Sequence, residues 1–195
     1  MNKYQKTFKI FNFKNLLKLS LLVALISCGL TGETKIILER SAKAITDEIN
    51  KIKKEAADNG VNFEAFKDGQ TGSGVSEDPF ILKAKMRAIE VAEKFVTAIE
   101  GEATKLKETG SSGEFSAMHN LMLEVSGPLE KLGIQRMTQT VSMGTENNPP
   151  TTAERILEIA TAMKTKLQNV YNKNYCVLKK KENSNLTDEK CKNKE

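Results

Sequence analysis

The sequence predicts an all-α protein, a bundle of five helices. Apolar residues recur every three or four positions along most of the chain, which is the period of an amphipathic helix. The chain has no Trp, only four Pro and 6% aromatic residues, and such a composition favours helices. Stretches rich in Gly, Pro, Ser and Asn separate the apolar stripes. Five amphipathic segments joined by short loops predict an up-and-down bundle.

The first two predicted helices flank a glycine-rich segment. Gly60 ends the first helix as a C-terminal cap, and residues 66–79 read as a flexible linker. Asp78 as N-cap and Pro79 in the first turn begin the second helix, which Gly110 ends. The first stripe is Leu38, Ala42, Ile45, Ile49, Ile52 and Ala56, and the second is Leu82, Met86, Ile89, Ala92, Val96, Ile99, Ala103 and Leu106.

Three further helices follow. The third starts near Phe115, and Gly127-Pro128 predicts a disturbance before it resumes. The fourth is short, and the fifth begins at a capping box in which Thr151 is the N-cap and Glu154 the third helical residue. The predicted bundle spans residues 36–178, and residues 179–195 form a lysine-rich C-terminal tail. The short fourth stripe is Ile134, Met137 and Val141, and the fifth is Ile156, Ala160, Met163, Leu167, Val170 and Leu178.

Residues 1–27 have the composition of a lipoprotein signal peptide. They contain five lysines, and no acidic residue precedes Glu33. Their apolar run, 16–26, is about half of the ~20 residues that a spanning helix needs. A basic start, a short apolar run and a small residue before the cleavage site are typical of a secretory signal. "LISC", residues 25–28, resembles the bacterial lipobox, so we expect lipidation at Cys28.

The leader places the mature chain outside the cytoplasm. Acyl chains on Cys28 would anchor it to a membrane without spanning the bilayer, with residues 28–35 as the tether. We therefore expect a lipid-anchored protein of the bacterial outer membrane, exposed at the cell surface. Cys176 and Cys191 are then an even pair in an oxidising compartment. A disulfide between them would close a loop of about 16 residues, worth ~3 kcal/mol; two free thiols are the alternative.

Charge is uneven once the leader is set aside. The chain has 30 basic and 25 acidic residues, but the five leader lysines leave residues 28–195 balanced. Residues 153–195 carry a net charge of +4 and residues 28–152 a net charge of −4. This separation favours a localised anion-binding patch over general basicity, and it removes the main argument for a nucleic-acid partner.

Catalysis has little support in the sequence. His119 is the only histidine, so neither a histidine triad nor a multi-histidine zinc site can form. We expect His119 at the surface or its boundary, and acidic pairs such as Glu100 with Glu102 on solvated faces. No cofactor or metal is predicted.

Lysines on two predicted helices are the best functional lead. Lys166 and Lys173 lie seven residues apart, about 10 Å along one helix face. Lys85 and Arg87 cluster on the second helix, with Lys83 beside them. If the second and last helices are neighbours, these groups frame a cationic groove suited to a sulfated polysaccharide; lysines that only solubilise the bundle are the alternative. Further basic residues that would add attraction are Lys67, Lys164, Lys179, Lys180 and Lys181.

Several motifs are distinctive: "SCGLTGETKI", "GVNFEAFKD", "TGSGVSEDPFIL", "EGEATKLKETGSSGEFSAM", "TVSM" and "ENNPPTTA". Together they resemble the decorin-binding proteins, surface lipoprotein adhesins of Lyme-disease spirochaetes. The resemblance extends to roughly Val170. It implies a five-helix bundle that binds host decorin mainly through its dermatan sulfate chain, and also binds heparin-like glycosaminoglycans. The family's key lysines correspond to Lys85 in "ILKAKMRA" and to Lys166 and Lys173 in "MKTKLQNVYNKN".

The sequence departs from the family in one stretch, and other functions stay open. The linker offers only Lys67, whereas relatives often have more basic residues there. A module that recognises the decorin core, or another host protein, through a helical face is the alternative to a glycan reader. We expect a non-enzymatic, monomeric adhesin in either case.

Overall fold

The computed structural model describes residues 29–67, 78–143 and 150–182. The leader, Cys28, Cys191 and most of the predicted linker and tail lie outside these residues. These ranges contain five helices, as predicted, and a 3-10 turn at Phe63–Phe66 precedes the second. The helices are α1 Gly32–Asp58, α2 Pro79–Lys105, α3 Ser112–Lys131, α4 Met137–Ser142 and α5 Ala153–Glu182. Within the described ranges, no helix is both long and apolar enough to cross a membrane.

Helix α1 buries the stripe that its sequence predicts. Each of the six apolar residues from Leu38 to Ala56 is buried. The helix begins at Gly32, however, inside the predicted tether 28–35. Its first turn is held to the end of α2, because Thr34 Oγ1 donates a hydrogen bond of 2.6 Å to Glu102 Oε2. A contact between residues 68 positions apart cannot be read from local periodicity.

Helix α2 is buried over a wider face than its predicted stripe. Phe95 and three further apolar residues outside the stripe are buried, whereas Met86 and Leu106 are only partly covered. Two charged residues, Lys85 and Glu102, also lie on this face. The extra burial follows from packing α2 between α1 and α5, which cover different sides of it.

Helices α2 and α5 pack antiparallel, which confirms that the second and last helices are neighbours. Lys164 Nζ lies 3.0 Å from Glu100 Oε2. Further towards the C-terminus of α5, the Tyr171 hydroxyl donates a 3.3 Å hydrogen bond to Glu90. As the residue number rises on α5 it falls on α2, so the antiparallel pair sets the frame of the candidate site.

Helix α3 runs without interruption through Pro128, so the predicted break at Gly127-Pro128 is wrong. Proline removes one backbone donor, to the carbonyl of Glu124. Glu124 is exposed, so water can satisfy that carbonyl and the helix tolerates the loss.

Helix α5 differs from its prediction at both ends. The N–H of Arg155 donates to Thr152 Oγ1 at 3.3 Å, so Thr152 takes the capping role predicted for Thr151. The helix continues to Glu182, beyond the predicted end at residue 178. A 2.6 Å ion pair between Lys179 and Glu182 supports this last turn.

Two aromatic positions are placed differently from their predictions. Phe66, assigned to the linker, is fully buried and packs its ring against Phe63 at 5.1 Å. His119, predicted at the surface or its boundary, is buried, with Nε2 3.3 Å from the carbonyl oxygen of Val141. Burial lowers the pKa of His119, and the hydrogen bond to Val141 partly opposes this.

Candidate functional site

Lys85 has a largely buried side chain whose charge has no counter-charge among the described residues. The residue is only 6% exposed, and its ammonium forms no ion pair or hydrogen bond with any residue in the described ranges. Burial lowers the pKa of Lys85. Lysine is almost never buried in this way unless it is paired, so the group retains unused binding capacity.

The backbone at Gly133 makes room for the Lys85 ammonium. A Cβ at position 133 would stand 2.9 Å from Lys85 Nζ and would also overlap the carbonyl oxygen of Phe66. Gly133 has φ +79°, a conformation that glycine adopts at no steric cost. The glycine therefore leaves space for the Lys85 ammonium beside the loop after α3.

Lys166, Lys173 and Arg136 form a second group of cations. Burial is the largest cause that lowers the pKa of Lys166, followed by repulsion from Arg136; Lys173 lowers it further and Glu130 opposes the shift. Lys166 is half-buried, whereas Lys173 and Arg136 are exposed. The structure thus brings Lys166 and Lys173 together, as predicted, and adds an arginine that the prediction missed.

The loop Leu132–Arg136 connects Lys85 with this group. A Cβ at Gly133 would stand 2.9 Å from Lys85 Nζ, and Arg136 is near enough to Lys166 to lower its pKa. Three residues span at most about 10 Å, so the two ends of the loop are close. We call Lys85, Arg136, Lys166 and Lys173 the cationic cluster. Arg136 is the only basic residue between Lys131 and Arg155, a sequence signal that could have pointed to it.

Arg87 does not join the cationic cluster. Its guanidinium lies 2.8 Å from Glu48 Oε1 and 2.8 Å from Glu55 Oε2, both on α1. Two carboxylates therefore compensate its charge, and the side chain ties α1 to α2. Spacing on α2 predicted its place beside Lys85, but the residues lie two apart on a helix and so project in different directions.

Three of the auxiliary lysines form ion pairs with glutamates. Lys67 lies 2.6 Å from Glu64 and Lys164 lies 3.0 Å from Glu100. Lys179 pairs with Glu182, and its Nζ lies 5.8 Å from the centre of the Tyr175 ring. Lys83 is exposed and, together with Lys179, lowers the pKa of Glu182.

Lys179, Lys180 and Lys181 belong to the last turn of α5 and not to a tail. Cations near a helix C-terminus interact favourably with its dipole. Cys176 also lies on α5 and is partly buried. Its predicted partner Cys191, the lipidation site Cys28 and the linker beyond Lys67 fall outside the described residues, so these predictions remain as they were.

The described ranges hold no candidate metal centre. They contain no group of three His, Cys, Asp or Glu side chains able to hold a metal ion. Glu102, expected on a solvated face, is buried and accepts hydrogen bonds from Thr34 and Lys105. These contacts hold the pKa of Glu102 below its usual value, Lys105 having the larger effect. Glu102 therefore links the start of α1 to the end of α2.

Known proteins share both the sequence and the fold. Decorin-binding protein A of Borreliella burgdorferi strain B31 is 74% identical over 182 residues, which are 93% of this chain and 95% of that protein. Decorin-binding protein B of strain N40 is 45% identical over 169 residues, 86% of each chain.

Two solved structures resemble the model. The structure of decorin-binding protein A from strain N40 of Borrelia burgdorferi aligns with TM-score 0.70 and 75% identity, over 83% of this chain and 98% of that one. The solution structure of decorin-binding protein B aligns with TM-score 0.54 and 37% identity, over 85% and 98%. The family model for decorin binding protein matches residues 33–190. The chain belongs to the decorin-binding protein family.

Proposed function

We propose that this protein is a non-enzymatic adhesin that binds decorin through its dermatan sulfate chain and binds heparin-like glycosaminoglycans at the same surface. Its relatives are named decorin-binding proteins. Lys85, Lys166 and Lys173 are the groups that we assign to the sulfated glycan. The proposal needs no cofactor and no catalytic residue.

The uncompensated charge of Lys85 is the observation that carries the proposal. An isolated charge in an apolar environment is costly unless a partner or a hydrogen-bond acceptor stabilises it. The folded chain supplies no such partner in its described part. A sulfate group from outside would provide both the opposite charge and the acceptors.

The neighbouring cations extend this binding capacity along the bundle. Lys166 and Lys173 lie two helical turns, about 10 Å, apart on α5. Burial and then the nearby cations Arg136 and Lys173 lower the pKa of Lys166, and a bound polyanion would relieve the repulsion among these cations. A glycosaminoglycan carries regularly repeated anions and therefore suits a row of cations better than a single small anion does.

Single and triple lysine variants test the assignment. In the soluble form that starts at Gly29, Lys85→Ala, Lys166→Ala and Lys173→Ala should each weaken binding to heparin and dermatan sulfate, while circular dichroism shows unchanged helicity. Lys94→Ala is the matched control, since Lys94 is an exposed lysine of α2 outside the cationic cluster. Retained affinity in the triple variant would refute the assignment.

Salt and enzymatic treatment separate glycan binding from recognition of the decorin protein core. Binding through sulfate contacts should weaken steeply between about 50 and 500 mM salt, because screening shortens the range of these contacts. Decorin from which the glycosaminoglycan has been removed should lose its binding. Undiminished binding to that core protein would instead favour recognition of the protein core through a helical face.

We also propose that Cys28 carries the lipid that holds the protein on the outer surface of the cell. Helix α1 begins only four residues later, at Gly32, so the anchor would sit at the foot of the bundle. Cys28→Ser should abolish incorporation of labelled palmitate and release the protein from membranes. Degradation by protease added to intact cells would test surface exposure.

The Cys176–Cys191 disulfide remains part of the proposal. It would hold the lysine-rich segment after Glu182 near the last turn of α5, where Lys179, Lys180 and Lys181 lie. Mass spectrometry of the exported protein, with and without reductant, would give a difference of two hydrogen masses if the bond is formed. Equal masses would refute the pairing.

A further inference from the structure

We infer that Arg136 is a glycan-binding residue of the cationic cluster, in which its guanidinium forms a paired contact with a sulfate or carboxylate group of the polysaccharide. The inference rests on the proposed function and adds a residue to its site. Arg136 follows Gly133 by three residues in the loop after α3, and the Lys85 ammonium lies beside that glycine; a polyanion that reaches both Lys85 and Lys166 would meet this loop.

The backbone of Arg136 is held in a conformation that arginine seldom adopts. Its φ of 56° and ψ of 29° lie in the left-handed region, and no other non-glycine residue of the described ranges has a positive φ. This conformation costs an ordinary residue about 1–2 kcal/mol. Such outliers persist where the surroundings enforce them, and they cluster at ligand sites.

The surrounding hydrogen bonds enforce the position of the loop. At the end of α3, the N–H of Ile134 donates to Leu129 O at 3.2 Å and the N–H of Gly133 donates to Glu130 O at 2.9 Å, which is a Schellman cap. The carbonyl of Arg136 accepts two bonds from Thr140, from its N–H at 3.0 Å and its hydroxyl at 2.8 Å. The base of the arginine side chain is therefore fixed before any ligand arrives.

The guanidinium itself is free to bind. Arg136 is exposed and forms no ion pair or hydrogen bond with the described part of the chain. By contrast, Arg87 and Arg155 are both paired with glutamates. Arginine presents a planar fork of donors that matches two oxygens of a sulfate or carboxylate, which the point charge of lysine cannot do.

Local electrostatics agree with this placement. Arg136 lowers the pKa of Lys166 more than Lys173 does, so the arginine is a close member of the cluster. Asparagine or glycine would fill the left-handed position with less strain, so arginine is kept there at a conformational cost.

Arg136→Asn tests the inference, because it removes the cation but suits the left-handed backbone. We expect heparin binding to weaken about three- to tenfold, the range of one charge-assisted contact at an exposed site, while the melting temperature stays level or rises. Arg136→Lys should recover only part of the loss. Arg40→Gln is the control, since Arg40 is an exposed arginine of α1, and it should leave binding within about twofold.

Carboxyl-reduced heparin identifies the group that Arg136 holds. If the loss caused by Arg136→Asn persists in full on this glycan, the partner is a sulfate; if the loss disappears, the partner is a carboxylate. Wild-type affinity in Arg136→Asn, in a series where Lys166→Ala weakens binding, would overturn this inference alone. A loss no larger than that of Arg40→Gln would also overturn it. Absence of heparin binding by the wild type would refute both proposals.

Discussion

Lys85 Nζ lies so close to the backbone of Gly133 that a Cβ at that position would stand 2.9 Å from it. Lys85 lies near the start of α2, and Gly133 lies in the loop after α3. Their contact explains how a lysine on the core face of α2 keeps its ammonium near the end of the bundle. A substitution at Gly133 should therefore affect both the candidate site and the stability of the fold.

Gly133→Ala should destabilise the protein. The substitution places a side chain in a left-handed conformation and against both Lys85 and the Phe66 carbonyl, so we expect a loss of at least about 2 kcal/mol. Gly101→Ala is the matched control, because Gly101 lies inside α2 and a Cβ there would have no neighbouring atom within 4 Å; alanine should raise stability there by about 0.5–1 kcal/mol. Urea unfolding measures both. Equal changes in the free energy of unfolding for the two variants would show that the backbone at Gly133 does not require glycine.

Lys85→Met should stabilise the fold and weaken glycan binding together. Methionine is close to lysine in shape, and it removes a charge that has no counter-charge in the described part of the chain, for a gain of about 1 kcal/mol at neutral pH. The pKa of Lys85 is lowered in the folded state, so the unfolded chain holds its proton more tightly. The charge of Lys85 therefore lowers the free energy of unfolding by its full amount below the folded pKa. This loss of stability becomes smaller as pH rises towards the ordinary pKa of 10.5.

Unfolding curves of both proteins at pH 7 and near pH 10 check this prediction. The difference in free energy of unfolding between Lys85→Met and the wild type should shrink at the higher pH. A difference that stays constant, or a variant less stable than the wild type at pH 7, would contradict the burial of an uncompensated charge. Helicity by circular dichroism serves as the control for a common fold.

His119 should make the protein less stable in mild acid. Burial lowers its folded pKa below the ordinary 6.5, so its contribution is present above pH 6.5 and is lost as pH falls through the folded pKa. We expect His119→Gln to flatten the dependence of unfolding free energy on pH between 7 and 5 by up to about 1 kcal/mol. Because the chain has one histidine, an unchanged pH dependence in His119→Gln would refute the assignment of the acid sensitivity to His119.

Thr34→Val should loosen the start of α1. It removes the 2.6 Å hydrogen bond to the buried carboxylate of Glu102, a loss of about 1 kcal/mol, while Lys105 still pairs with that group. Thr165→Val is the control, since the Thr165 hydroxyl only bonds back to the carbonyl of Thr161 on the exposed side of α5. Hydrogen exchange of the first turn of α1 should rise in Thr34→Val alone. Equal exchange in both variants would contradict the role of this contact.

Periodicity predicted the helices well because burial of an apolar stripe is a local property of the sequence. The stripe of α1 is buried at all its members, and Met137 and Val141 mark the short α4. Positions decided by distant partners were not predictable in this way. Phe66 was assigned to a loop, Glu102 to a solvated face and His119 to the surface or its boundary, yet each is buried by elements far away in the chain.

The sequence by itself determined the five-helix class, the family and the candidate lysines Lys85, Lys166 and Lys173, because these depend on residue types, local spacing and motifs. Only the tertiary structure decided how each cation is used. It paired Arg87 with two carboxylates of α1, left Lys85 buried without a counter-charge, and set Arg136 beside Lys166. The physical reason is that Coulomb energy depends on distance and burial, and helix packing sets both.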